Sequence, residues 1–263
     1  MGTSAKRLLA ASKIFPKHRL GQHFLADPRT AEKMVELSGV GSDDVAVEIG
    51  AGLGALTLPL AQAVKKVYAV EIDRDLVLLL RAELASQGIG NVEVIAGNAL
   101  AVDFRTLLSA ESRKIVVLGN LPYNISSQVL IGLIGVRDIV SHAVLMFQKE
   151  LAQRITAPPG NKEYGRITVA LRYCAESRPL MQVKASQFYP RPKVDSQILE
   201  IRFRPLEKRA EDETVFFSVV KAAFSSRRKT LKNALAGSKF FKDAEMARQA
   251  LESIEIDPIR RAE

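Results

Sequence analysis

The 263-residue chain has one cysteine, Cys174, which excludes an intrachain disulfide and points to a reducing compartment. Its three histidines and that cysteine are widely spaced, so no thiolate–imidazole metal site is expected. No Gly-x-x-x-x-Gly-Lys-Ser/Thr loop occurs, which argues against nucleotide hydrolysis. Apolar runs are short. The run from Val129 to Val136 falls far below the roughly 18 residues needed to cross a bilayer. The first residues lack the apolar core of a secretory signal, and a soluble cytoplasmic protein is expected.

Acidic residues are missing from two stretches. None precedes Asp27, where Lys6, Arg7, Lys13, Lys17 and Arg19 lie, and none occurs between Thr214 and Lys242. The second stretch holds Lys221, Arg227, Arg228, Lys229, Lys232, Lys239 and Lys242. The net charge is +9. A clustered positive field of this kind favours a polyanion, most often nucleic acid. Arg227, Arg228 and Lys229 are the candidate phosphate-binding residues.

Apolar residues at 47% and charged residues at 25% are those of a globular protein, long enough for one full α/β domain and a smaller one. Short β-rich runs alternate with helical patterns. Strands are expected at 45–49, 67–70, 92–96, 115–118 and 140–147. Helices are expected at 28–37, 55–63, 74–86, 126–134 and 148–155, the first two of the longer ones capped by Asp27 and Asp73. The alternation implies a parallel sheet covered on both faces. A helix at 165–175 and strands at 178–183 and 197–203 follow. The two strands form an antiparallel edge, joined through the Pro-rich loop at 188–192. After Pro205 the pattern is helical, clearest at 211–225 and 243–252, and the domain boundary is placed near Leu206.

The first strand ends in Glu48-Ile49-Gly50-Ala51-Gly52-Leu53-Gly54. Alternate glycines let the backbone turn sharply and approach a ligand. Glu71, at the end of the second strand, is placed to bind the two hydroxyls of a ribose. Asn98, just past the third, can accept a bond from an adenine amine or serve as a turn residue. Together these describe a site for an adenosine-containing cofactor. Gly50-x-Gly52-x-x-Ala55 also satisfies the looser nicotinamide fingerprint, so a dinucleotide oxidoreductase is an alternative. The fourth strand runs into Asn120-Leu121-Pro122-Tyr123. The Asn120 amide oxygen and the Leu121 carbonyl, aimed by Pro122, can grip an exocyclic amine, and Tyr123 can stack on its ring. An ordinary strand-end turn is the plainer reading.

The ordered motifs Leu20-Gly21-Gln22-His23-Phe24-Leu25, Glu48 to Gly54, Glu71, Gly97 to Leu100, Asn120 to Tyr123 and Phe188 to Ser196 resemble the small-subunit rRNA adenine N6-dimethyltransferases of the KsgA type. The resemblance runs from Leu20 nearly to the end. It implies a Rossmann-like class I methyltransferase fold: a mostly parallel seven-stranded sheet with an antiparallel edge, in a catalytic domain of residues 1–206. A small all-helical rRNA-binding domain of residues 207–263 follows. It implies S-adenosylmethionine as methyl donor, contacted at His23, Leu25, Gly50, Gly52, Glu71, Asn98 and Asn120, without a metal. The implied substrate is 16S rRNA within the small ribosomal subunit or its precursor, modified on two adjacent adenines of the 3′-terminal hairpin by a monomer. Asn120, Leu121, Pro122 and Tyr123 are the implied catalytic turn, with Phe188 on the other face of the base or packed at the edge. The family usually has Asn where this chain has His23, and Asp where it has Asn98. A large-subunit rRNA methyltransferase and a non-catalytic ribosome-assembly factor are the competing readings.

Overall fold

The computed structural model describes residues 5–108, 114–206 and 208–263. The chain divides into two compact units, one of Met1–Ala152 with Ala175–Phe203, the other of Gln153–Cys174 with Arg204–Glu263.

The first unit is built on a seven-stranded sheet. Its strands are β2 (Val45–Ile49), β3 (Lys66–Glu71), β4 (Val92–Ala96), β5 (Ile115–Asn120), β6 (Val140–Gln148), β7 (Ala175–Val183) and β9 (Ser196–Phe203), in the spatial order β4-β3-β2-β5-β6-β9-β7. A separate antiparallel pair joins β1 (Phe24–Leu25) to β8 (Phe188–Tyr189). The strands from β4 to β6 pair in parallel, and β9 is antiparallel to both of its neighbours. Parallel strands buried on both faces are mostly apolar, and β2 is buried at all five positions, four of them apolar and the fourth Glu48. The two late strands do pair antiparallel at the edge, as expected, with β9 inside and β7 outermost. Pro179 sits in β7 beside a register shift, where an outermost strand needs no donor.

The helices of this unit are α1 (Ala5–Ala11), α2 (Pro28–Ser38), α3 (Thr57–Ala63), α4 (Arg74–Ser86), α5 (Phe104–Leu108), α6 (Ser126–Gly135) and the start of α7 (Lys149–Thr156). Asp27 caps α2 through the Arg29 N–H at 3.0 Å, and Asp73 caps α4 through the Asp75 N–H at 3.2 Å. Pro59 falls in the first turn of α3, where its missing N–H has no intrahelical partner to lose. The core joins Met34 of α2 and Leu60 of α3 to Ala46, Ala69, Leu118 and Ile198 of the sheet.

The second unit contains α8 (Arg166–Cys174), α9 (Glu213–Ala223), α10 (Leu231–Ala236) and α11 (Ala244–Glu252). Residues 153–174 belong here, so the expected division into 1–206 and 207–263 differs from the observed one. The cause is aromatic packing: Tyr173 on α8 lies 4.4 Å from Phe216 and 5.8 Å from Phe217 on α9, centroid to centroid. The expected boundary also adjoins residue 207, outside the described residues. Leu235, Ala247 and Leu251 form a small core between α10 and α11.

Candidate active site

The sheet order reverses between β2 and β5: β3 and β4 extend to one side of β2, and β5 returns to its other side. Loops leaving adjacent strands in opposite directions open a crevice at their carboxyl ends. A cleft of about 770 Å³ lies there, within the size range of small-ligand sites.

The glycine loop forms one wall. Gly50 and Ala51 donate their N–H groups to the Val70 carbonyl at 2.9 and 3.1 Å, which stitches the loop to β3. Gly54 has φ +84°, and a Cβ there would lie 2.7 Å from Leu80 Cδ1. Gly119, near the end of β5, has a different constraint. A Cβ there would lie 2.7 Å from the Ile49 carbonyl oxygen, so β2 and β5 approach closely just where their loops diverge. Sequence inspection missed Gly119, because its requirement is set by a neighbouring strand.

Glu71 is buried at the end of β3. One carboxylate oxygen accepts the Gly52 N–H at 2.8 Å and the other accepts the Asp73 N–H at 2.8 Å. Burial raises its pKa and the charge of Asp73 adds to the rise, while backbone hydrogen bonds from Asp73, Gly52 and Ile72 oppose it. The carboxylate has about four acceptor sites, so it keeps capacity for a hydroxyl beyond these backbone bonds. Asn98 lines the cleft, and its Oδ1 accepts the Leu100 N–H at 3.0 Å. It is therefore a turn residue that keeps one acceptor lone pair.

The turn after β5 forms the opposite wall. The Asn120 Nδ2 donates to the His23 carbonyl at 2.9 Å, which leaves Oδ1 as the amide's acceptor end. The Leu121 side chain is 1% exposed and anchors the turn, and its carbonyl accepts no hydrogen bond from a described residue. Tyr123 donates to or accepts from Ser196 Oγ at 2.9 Å, and its ring stacks on His23 at 5.4 Å and 29°. Burial raises the Tyr123 pKa, so its hydroxyl is neutral. His23 Nδ1 lies 2.7 Å from the Pro190 carbonyl. A carbonyl only accepts, so Nδ1 carries the proton and Nε2 is the free ring nitrogen.

His23, Leu25, Gly50, Gly52, Glu71, Asn98 and the turn Asn120–Tyr123 thus line one cleft. Phe188 does not. It pairs with Leu25, is 4% exposed and packs in the core, so its packing alternative is the one observed. Arg227, Arg228 and Lys229 lie in the second unit, exposed in the turn between α9 and α10 rather than on a helix. An arrangement missed at the sequence level straps the N-terminal segment to this site. Lys17 Nζ binds Asp73 at 2.6 Å and Asp75 at 2.8 Å, and Gln22 Nε2 binds Asp73 at 2.9 Å. These bonds outweigh the burial of Asp73 and hold its carboxyl below the usual range. Only partners distant in the chain reveal it.

The cleft suits a purine nucleoside with a charged tail. Glycines leave room against the backbone, and one carboxylate oxygen, Glu48 Oε2, is buried without a partner. No group of three or more His, Cys, Asp or Glu suited to a metal exists among the described residues.

Fold and cleft together define a Rossmann-like class I methyltransferase. Residues 16–261 match the model of the family described as ribosomal RNA adenine dimethylase, and the chain belongs to that family. It is 45% identical over 257 residues to the ribosomal RNA small subunit methyltransferase A of Desulforapulum autotrophicum, covering 97% of this chain and 90% of that protein. Among solved structures it resembles a dimethyladenosine transferase from Plasmodium falciparum, with TM-score 0.72, 27% identity and 91% of each chain covered. It also resembles the 23S rRNA methyltransferase ErmE, with TM-score 0.67, 25% identity and 90% and 91% covered.

Proposed function

We propose that the chain is a small-subunit rRNA adenine N6,N6-dimethyltransferase that uses S-adenosylmethionine and modifies two adjacent adenines in the 3′-terminal hairpin of 16S rRNA. The observation that carries this reading is the pinned amide of Asn120. With Nδ2 held by the His23 carbonyl, Oδ1 remains an acceptor beside the Leu121 carbonyl, which suits a group that donates two N–H bonds. The exocyclic amine of adenine is such a group.

S-adenosylmethionine supplies a methyl group on a sulfonium. Glu71 would hold its ribose and Asn98 its adenine, with His23, Leu25, Gly50 and Gly52 shaping the rest of the pocket. The target base leaves its stack to enter the cleft. Tyr123, backed by His23, offers it a stacking surface. Bonds from the amine to Asn120 Oδ1 and the Leu121 carbonyl position the nitrogen and favour its electron-rich pyramidal form. The same oxygens stabilise the positive charge that develops on nitrogen. The protonated product nitrogen is acidic enough to lose its proton to water, so no general base is required. Arg227, Arg228 and Lys229 would bind the rRNA backbone, and the enzyme would act as a monomer on the subunit or its precursor.

The large-subunit reading is less well supported, since identity is 45% to a small-subunit enzyme and 25% to the 23S rRNA enzyme. Incubation with labelled S-adenosylmethionine and undermethylated small subunits, followed by nucleoside analysis, tests the proposal. Labelled N6,N6-dimethyladenosine in 16S rRNA is expected. Label confined to free 23S rRNA, or none in either, would overturn it.

A further inference from the structure

The chain from Pro190 to Ser196, which leads from β8 into β9, does not line the cleft. It nevertheless fixes two rings that do. The Pro190 carbonyl lies 2.7 Å from His23 Nδ1, and Ser196 Oγ lies 2.9 Å from the Tyr123 hydroxyl. His23 in turn stacks on Tyr123.

The two ends of the Tyr123–Ser196 bond differ in freedom. Ser196 is the first residue of β9 and is 0% exposed. It pairs with Gln148 of β6 on one side and Val183 of β7 on the other, so its hydroxyl stands on a rigid base. Tyr123 lies in the turn beyond β5, at the cleft wall. The second torsion of a tyrosine is broad, and a turn does little to narrow it. With one face against His23 and its hydroxyl tied to Ser196, the ring is held as a fixed shelf.

Under the dimethyltransferase reading, on which this inference rests, the shelf matters unequally in the two rounds of transfer. In the first round the adenine amine can donate two N–H bonds, to Asn120 Oδ1 and to the Leu121 carbonyl. Its lone pair forms the bond to the methyl carbon, the sulfur–carbon bond breaks with its electron pair staying on sulfur, and one N–H proton leaves to water. The product amine keeps a single N–H. In the second round it donates one bond, about which the base can pivot. The ring beneath it is then what keeps the lone pair in line with the methyl carbon. A base held at two points tolerates a loose shelf, and a base held at one does not.

We propose that Ser196 is a positioning residue: through its bond to the Tyr123 hydroxyl it fixes the stacking shelf and thereby commits the enzyme to the second methyl transfer on each adenine.

Single-turnover methylation of undermethylated small subunits, with enzyme and S-adenosylmethionine in excess, separates the two steps. N6-methyladenosine and N6,N6-dimethyladenosine are followed against time by mass spectrometry of the nucleosides. A neutral hydrogen bond is worth about threefold to tenfold in an equilibrium. Ser196→Ala should lower the ratio of the second rate constant to the first by about that factor, so that N6-methyladenosine builds up. Tyr123→Phe breaks the same bond from its other end and should skew the ratio in the same way. It decides the question by itself should Ser196→Ala fail to fold, which calorimetric binding of S-adenosylhomocysteine reports. The double variant should show the skew of one single variant, since both remove one bond. An unchanged ratio, whether the two rate constants hold or fall together, would overturn the assignment. So would losses that add in the double variant. Absence of both methylated nucleosides from wild-type reactions would instead overturn the dimethyltransferase reading, and this inference with it.

Discussion

At the scale of single residues, the two carboxylates near the carboxyl ends of β2 and β3 behave differently because their partners differ. Glu71 has a backbone N–H on each oxygen, whereas Glu48 Oε2 has none. The raised Glu48 titration has a definite sign for stability. Between its unfolded value near 4.5 and its folded value of about 7, the native state binds more protons than the unfolded chain. Stability from this group therefore falls as pH rises through that window and stays low above it. Thermal denaturation of the ligand-free protein should show Glu48→Gln matching wild type near pH 4 and exceeding it at pH 8, by up to about 3 kcal/mol. Asp73 and Glu200 contribute oppositely. Their carboxyls sit low despite burial, through Lys17 and Gln22 for the first and Arg178 and Arg202 for the second. Their stabilisation is present above the ordinary carboxylate range and is lost as pH falls. Asn120→Ala removes the amide acceptor and the bond to His23. Single-turnover methyl transfer should drop by about 10²–10³, as for the loss of one preorganised group at a developing charge, with the melting temperature little changed. Near-normal turnover would sink the proposed role of the turn.

At the scale of elements, the contact between Gly119 and the Ile49 carbonyl decides how β2 and β5 meet. Gly119→Ala pushes a methyl group into backbone, which cannot swing aside as a side chain would. A destabilisation of about 1–3 kcal/mol is expected in urea unfolding, together with loss of transfer as the two loops spread. The core strands were legible in the sequence because burial on both faces makes them continuous apolar runs, as in Ile115–Leu118. Asp27 and Asp73 were legible as caps because capping is local. The elements that escaped have distant causes. The helix Ala5–Ala11 is held by Ala5 and Leu9 packing near Phe24 and Leu76. The pair β1–β8 has two residues a side and no period to detect. The place of β9 inside β7 follows from pairing across the sheet, which no local pattern encodes. In the site, the cleft-lining residues were legible from motif order. The burial of Phe188, the bond from His23 to Pro190 and the Lys17 strap were not, since each depends on a partner elsewhere in the chain.

For the whole molecule, the cleft belongs to the first unit and the acid-free basic stretch to the second. The acid-free stretch of the second unit leaves Arg227, Arg228 and Lys229 exposed, and none of the three makes an ion pair with a described residue. Reversing all three to Glu should weaken binding to a 16S hairpin RNA and flatten its salt dependence, while cofactor affinity stays within twofold of wild type. Equal RNA affinity at low salt in a filter-binding assay would remove these residues from the interface. A further consequence concerns synthesis. The first unit resumes at Ala175 and ends at Phe203, after residues 153–174 of the second unit have already been made. Strand β6 must wait for β9, translated some fifty residues later, before its free edge is covered. A nascent chain halted between them presents an apolar, unpaired ladder, the form of chain that chaperones retain and that aggregates when they do not. A chain stopped before Ser196 lacks the strand that covers the edge of β6.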